Sequence, residues 1–229
     1  MLRITSYINR YNFRCFLIAG EGTTRHYSRS GYFVNSFPSL LPGGNRKFLK
    51  SSQAITFLDC IYVDIESTYY ILDIMVWKDF SFYDCDTECR RFLAVSKLSE
   101  NEDLAIKSRL NPYKFKVLPA YSCHKESLER TLSNPMNFHP LALDGLLFYN
   151  KQVHYLPGST PLVGWLKGYM VPELLSINVS QELKAQKPNN YATMKTHIQE
   201  YSKERQEKKA AKTVRHETKR ENTNTTEIV

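Results

Sequence analysis

Trp165 closes the segment Asp144–Leu166, DGLLFYNKQVHYLPGSTPLVGWL, in which an apolar run (Leu146, Leu147, Phe148, Tyr149) is broken by Pro157-Gly158-Ser159-Thr160-Pro161 and resumed by Leu162-Val163-Gly164-Trp165-Leu166. The pattern predicts a strand, a turn and a second strand. A flat, rigid indole in that position can stack on a nucleic-acid base, and Gly164 is expected to leave room beside it for a planar ligand. A tryptophan in an apolar strand is more often core, the role expected of Trp77 at the end of the run Tyr69 to Trp77. Other chemistries find little support. The cysteines Cys15, Cys60, Cys85, Cys89 and Cys123 form no CxxC pair and have no histidine at zinc-ligand spacing, so no metal and no cofactor is expected. His26, His124, His139, His154, His197 and His216 lie in no nucleophile motif with Ser or Cys, and Gly43-Gly44 lacks the Gly-Lys-Ser/Thr of a phosphate loop.

The totals set wider bounds. A chain of 229 residues with 42% hydrophobic side chains can bury a full core, and a net charge of +8 with a pI near 9.1 favours anionic partners such as nucleic acid. From about Gln181 the apolar content collapses, and the stretch from Glu200 to Val229 carries 8 basic and 6 acidic residues. Such a stretch cannot offset its own ordering entropy, and without it the rest still holds 23 basic and 17 acidic residues. The basic character therefore belongs to the folded part. The odd cysteine count reads as free thiols in a reducing compartment. The run Cys15 to Gly20 is too short for a signal peptide or a bilayer span, so an intracellular protein without membrane contact is expected.

The elements that must carry these residues follow from periodicity. Phe13 to Ala19 reads as a strand, Glu21 to Ser30 as a polar loop, and a second apolar stretch starts at Tyr32. Pro42-Gly43-Gly44-Asn45 marks a tight turn, and Ile55–Val63 and Tyr69–Trp77 form an antiparallel hairpin rich in β-branched and aromatic residues. Ser96 to Arg109 is expected to be a loop or a short surface helix, Glu126 to Leu132 a helix, and Pro172 to Leu175 a short helix with proline in its first turn. A solvated helix from Tyr191 to Lys212 is the remaining expectation.

Two resemblances sharpen this reading. The strands Leu58-Asp59-Cys60, Leu72-Asp73-Ile74 and Asp144-Gly145-Leu146-Leu147-Phe148 resemble the nucleotidyltransferase fold of mRNA capping guanylyltransferases. The position of that family's nucleophilic lysine falls on Arg29 within Ser28-Arg29-Ser30-Gly31. A guanidinium does not deprotonate and cannot form the phosphoramidate. Of the lysines on the late strand only Lys167 remains, so no enzyme is expected.

More specific is the resemblance to snurportin cap-binding domains, over about Asn12 to Val171. It rests on Gly31-Tyr32 with Val34-Asn35, Ser39-Leu40-Leu41-Pro42-Gly43-Gly44-Asn45-Arg46, Leu58-Asp59-Cys60-Ile61-Tyr62, Phe82-Tyr83-Asp84-Cys85, Ser96-Lys97-Leu98, Leu110-Asn111-Pro112 and the Asp144–Leu166 segment. The resemblance implies an α+β fold with two largely antiparallel sheets around a nucleotide-binding cleft, guanylyltransferase-like, followed by a charged C-terminal tail. The expected division is a divergent start over 1–11, a cap-binding domain over 12–180 and a partly helical or disordered tail over 181–229. It implies a protein that binds the 2,2,7-trimethylguanosine cap of spliceosomal U snRNAs and serves as adaptor for import of their particles, shuttling between nucleus and cytoplasm. Its partners would be capped U snRNA, the snRNP, an exportin and importin-beta.

By position Trp165 matches the family's stacking tryptophan and Arg29 a lysine that meets the cap phosphates. Phe13-Arg14-Cys15 matches a stretch that also touches the cap, with Arg14 as the cation. The family carries an arginine-rich importin-beta-binding helix and a Leu-Ser-Glu-Trp segment ahead of this region. Met1 to Tyr11 resembles neither, which leaves importin-beta binding and discrimination of the trimethylated cap from the monomethylated one open for this sequence. Two other readings stand beside this one: a catalytically active guanylyltransferase-like enzyme, and a protein interaction module that has lost cap binding.

Overall fold

A computed structural model describes residues 2–6, 12–48, 54–133, 143–158, 160–204 and 206–207. The strands are β1 (Leu2–Ser6), β2 (Asn12–Gly20), β3 (Thr23–Ser28), β4 (Phe33–Phe37), β5 (Thr56–Val63), β6 (Thr68–Trp77), β7 (Phe80–Ser81), β8 (Lys114–Val117), β9 (Ala120–Tyr121), β10 (Leu143–Tyr149) and β11 (Val163–Lys167). The helices are α1 (Thr87–Ser99), α2 (Lys125–Ser133), α3 (Val171–Leu175) and α4 (Gln181–Ala185), with a further helix over residues 194–204. The architecture is α+β. A large sheet has the order β4-β3-β2-β5-β6-β7 with β8 running parallel to β6, so it is mixed rather than wholly antiparallel. A smaller antiparallel sheet has the order β11-β10-β1-β9.

Period-two alternation builds the large sheet's core face. Cys15, Leu17 and Ala19 of β2 are fully buried, and with Leu58, Cys60, Tyr69, Ile71 and Phe115 they form the main cluster. Trp77 joins it at 5% exposure, as expected from sequence. The predicted hairpin is present as β5 and β6, turned at Ser67 in a left-handed conformation. The Pro42–Asn45 turn places Gly43 at φ +83°, where a Cβ would lie 1.9 Å from the Ala54 carbonyl oxygen, so only glycine fits.

Two expectations are corrected. Glu21–Ser30 is not a loop, because Thr23–Ser28 is strand β3, paired with both β2 and β4. Its inward residues are polar yet satisfied at long range: Thr24 bonds Ser39 at 2.6 Å and His26 bonds the Tyr69 hydroxyl at 3.0 Å. The helix expected near Ser96 begins earlier, as the 13-residue α1, whose first turn is capped by the Asp86 carboxylate accepting from the Cys89 N–H.

The small sheet holds a second core. Leu146 and Leu166 pack with Leu128 and Leu132 of α2, Met170, Val171 of α3 and Leu183 of α4. Packing continues past residue 180, since Leu183 and Tyr191 are both buried and the Tyr191 hydroxyl donates to Glu173. Residues 2–6, assigned by sequence to a divergent start, lie between β10 and β9 in this sheet. Of the helix expected over Tyr191 to Lys212, residues 194–204 and 206–207 are helical and the remainder lies outside the described residues. Among the described residues no helix is long and apolar enough to cross a membrane.

The buried imidazole gives the large sheet a pH signature. Burial lowers the His26 pKa from its ordinary 6.5, so the folded protein keeps the ring neutral. Once unfolded, the ring takes up a proton as pH falls below about 6.5. Stability present above that pH is therefore lost as pH drops toward the folded value. The urea midpoint is expected to be flat from about pH 8 to 7 and to fall between about pH 6.5 and 5, with His26→Gln reducing the slope. A midpoint that rises on acidification would contradict the neutral assignment.

Candidate functional site

Five donors on one side chain hold the two sheets together. Arg90, 1% exposed on α1, donates to both Asp73 carboxylate oxygens (2.9 and 3.1 Å), to the Thr87 hydroxyl and to the carbonyls of Cys85 and Val153. Asp73 lies on β6 of the large sheet, and Val153 lies in the connection from β10 to β11 of the small one. The same connection is tied down by Thr87 donating to the Val153 carbonyl, by the Tyr155 N–H donating to Tyr83, and by the Tyr155 hydroxyl donating to Asp59 at 3.2 Å. A polar loop of this kind stays closed because each of these groups has a partner.

Asp59, fully buried on β5, is the second anchor. Arg14 of β2 grips it in a fork, Nε to Oδ1 at 3.0 Å and Nη2 to Oδ2 at 2.6 Å. Burial alone would lower the Arg14 pKa, but the Asp59 carboxylate more than reverses this and raises it. Tyr155 is pushed up by burial and then by Asp59, so its hydroxyl stays protonated as a donor. Asp59 and Asp73, two of the three aspartates on the strands that resemble a nucleotidyltransferase, are thus occupied by arginines.

The two sheets face each other here. On β10, Gly145, Leu147 and Tyr149 share one face, and across β11 their partners are Lys167, Trp165 and Val163. Tyr149 and Val163 line a small hollow with Asp73, Arg90 and Tyr155, so the face that carries Trp165 is the one turned toward the Arg14–Asp59 side of the large sheet. That hollow has room for about one water, with a volume of ≈ 20 Å³, too small for a purine. A wider groove of ≈ 560 Å³ between α1 and β9 is lined by Arg91, Phe92, Val95 and Tyr121 and contains none of the residues singled out by sequence.

Trp165 is 38% exposed on the edge strand of the small sheet. Its ring lies against Gly145: a Cβ there would sit 3.0 Å from Cε2 and Nε1 of the indole. The glycine that matters for the ring is therefore Gly145 rather than Gly164. Neighbours on a strand point to opposite faces, and a Cβ on Gly164 would meet only Phe148 at 3.9 Å. A glycine within an otherwise apolar strand is the signal that could have found this. Lys167 Nζ lies 5.6 Å from the centre of a Trp165 ring, a second cation that sequence reasoning left without a role at the site.

The remaining candidates fall at one end of the large sheet. Cys15 is paired with Ser28, so Arg29 leaves β3 beside the start of β2, where Arg14 and Phe13 stand. Arg29 is exposed in the turn closed by the Gly31 N–H donating to Ser28. Phe13 is 42% exposed and approaches Tyr62 at 6.3 Å. Cys15 is fully buried among the core side chains, and burial pushes its thiol pKa up, so it has no surface to present to a ligand. Topology thus brings Arg14, Phe13 and Arg29 to one sheet end and turns the Trp165 face toward Arg14.

Compared with known families, residues 5–168 match the family described as Snurportin1, m3G cap-binding domain. The chain belongs to that family. The match covers both sheets from within β1 to the turn after β11, and with it every residue of the candidate site. As a snurportin-type cap-binding domain the chain is a binding module whose ligand class is the m3G cap. An open indole backed by a glycine and a polar end rich in arginine suit such a ligand, whose base is flat and cationic and whose bridge is anionic.

Proposed function

We propose that this protein binds the 2,2,7-trimethylguanosine cap of spliceosomal U snRNAs and acts as an adaptor in the import of their particles into the nucleus, with an exportin for its return. The observation that carries the reading is the half-exposed indole of Trp165 on the sheet face turned toward Arg14. Trp165 stacks on the methylated base, whose positive charge at N7 strengthens the contact with the indole. Lys167 then leaves the ring, repelled by the cationic base, and turns to the phosphate bridge. Arg29, exposed and on a loop, meets the phosphates from the opposite sheet. Arg14 has Nε and Nη2 engaged by Asp59, so it contributes one remaining edge of its guanidinium and chiefly sets the position of Tyr155. Cys15, buried in the core, takes no part in contacting the cap.

Trp165 and Trp77 are the chain's two tryptophans, and Trp77 is buried. Titration with a trimethylguanosine cap dinucleotide is expected to quench tryptophan fluorescence in a saturable way, while GTP without methyl groups quenches far less. A flat response to the cap dinucleotide would remove this function and leave the module reading.

A further inference from the structure

We infer that the outward face of β2, β3 and β4 is a platform on which the first nucleotides after the cap stack. The inference rests on the cap-binding reading above and extends its ligand from a cap to a capped RNA. Residues that alternate with the buried face of the large sheet fall into two rows across the strands. One runs Asp59, Phe16, Tyr27, Phe33 from β5 to β4, each directly opposite the next. The other runs Phe57, Ile18, Arg25.

The two faces of these strands differ sharply. On the inner side Cys15, Leu17, Thr24 and His26 are at most 3% exposed. On the outer side Phe16, Ile18, Arg25 and Tyr27 are half-buried and Phe33 is 59% exposed. Tyr27 and Phe33 stand edge to face with ring centres 6.0 Å apart. A sheet buries one face and solvates the other, and the solvated face is ordinarily polar. Here it carries three aromatic rings in register.

Three features point to RNA as the occupant. The row begins at Asp59, whose partners Arg14 and Tyr155 belong to the candidate cap site, so the platform continues from that site without a gap. Its cations Arg14, Arg25 and Arg29 outnumber its carboxylates, Asp59 and Glu21, each of which is paired with an arginine. Aromatic rings with interleaved arginines bind single-stranded nucleic acid whatever its sequence, because every base offers a π-face. Strands spaced about 4.8 Å apart give the Phe16–Tyr27–Phe33 row a reach suited to about two bases.

The test compares a labelled trimethylguanosine cap dinucleotide with an RNA of about five nucleotides bearing the same cap, by fluorescence anisotropy. At about ten-fold per stacked base, the longer RNA is expected to bind at least about ten-fold tighter, with a gain that shrinks as salt rises. Tyr27→Ala with Phe33→Ala is expected to abolish the gain and leave dinucleotide binding unchanged. Phe33→Glu, on the exposed edge strand and harmless to the core, is expected to reduce the gain on its own. Equal affinity of the wild type for both ligands overturns the inference and leaves this face to a protein of the particle, as does a gain that survives both variants. A wild type that fails to bind even the dinucleotide overturns the cap-binding reading instead.

Discussion

Replacing Trp165 by alanine is expected to weaken binding of the trimethylguanosine cap dinucleotide by about 100-fold or more while leaving the fold intact. Stacking of a base on an aromatic ring is worth about 1 to 3 kcal/mol, and a desolvated cation over the ring adds up to about 2 kcal/mol. A combined loss near 3 kcal/mol is about two powers of ten in affinity. The fold should survive because the indole is 38% exposed on an edge strand and belongs to neither main cluster. Trp165→Phe keeps a smaller face and should fall between the two. Calorimetry is the appropriate measurement, since the alanine variant retains only the buried Trp77 as a tryptophan. Wild-type affinity in a folded Trp165→Ala protein would remove the indole from recognition. A companion change, Gly145→Val, should act through the same ring, because a side chain there meets the Leu166 carbonyl at 2.8 Å and the indole at 3.0 Å.

What the sequence revealed of this site follows from how local each signal is. The β5–β6 hairpin was readable because its β-branched and aromatic runs are continuous and its turn lies between them. The strand carrying Trp165 was readable for the same reason. Strand β3 was not, because Thr24 and His26 are satisfied by Ser39 and Tyr69, 15 and 43 residues away, and read alone they look like loop residues. Helix α1 was obscured by Arg90, a charge on the buried side of the helix that pattern assigns to solvent. The place of β1, between strands that begin more than a hundred residues later, leaves no mark on local composition. The Arg14–Asp59–Tyr155 chain spans separations of 45 and 96 residues, so Arg14 was found as a cation but its neutralising partner was not. Charge that is legible in sequence says nothing of whether folding leaves it free.

That distinction governs the largest stability effect expected here. Arg90→Met removes one half of a buried ion pair whose side chains are 2% and 1% exposed, and leaves the Asp73 carboxylate in the interior opposite an apolar group. Breaking such a pair costs about 3 to 5 kcal/mol, which for a protein of this size corresponds to a fall in Tm of roughly 6 to 20 °C. The same substitution removes one of the two donors to the Val153 carbonyl and leaves Thr87 as its remaining donor, so the tie between the β10–β11 connection and α1 is weakened and the face bearing Trp165 is held less firmly against the large sheet. Cap affinity should therefore fall as well, by less than in Trp165→Ala, because the indole itself is untouched. Adding Asp73→Leu to Arg90→Met removes the orphaned charge and is expected to recover much of the Tm but not the affinity, since the Arg90 bonds to the Val153 and Cys85 carbonyls remain lost. Recovery of both together would mean that the clamp contributes charge balance alone. Loss of affinity with restored stability would mean that Arg90 positions the cap site through the β10–β11 connection.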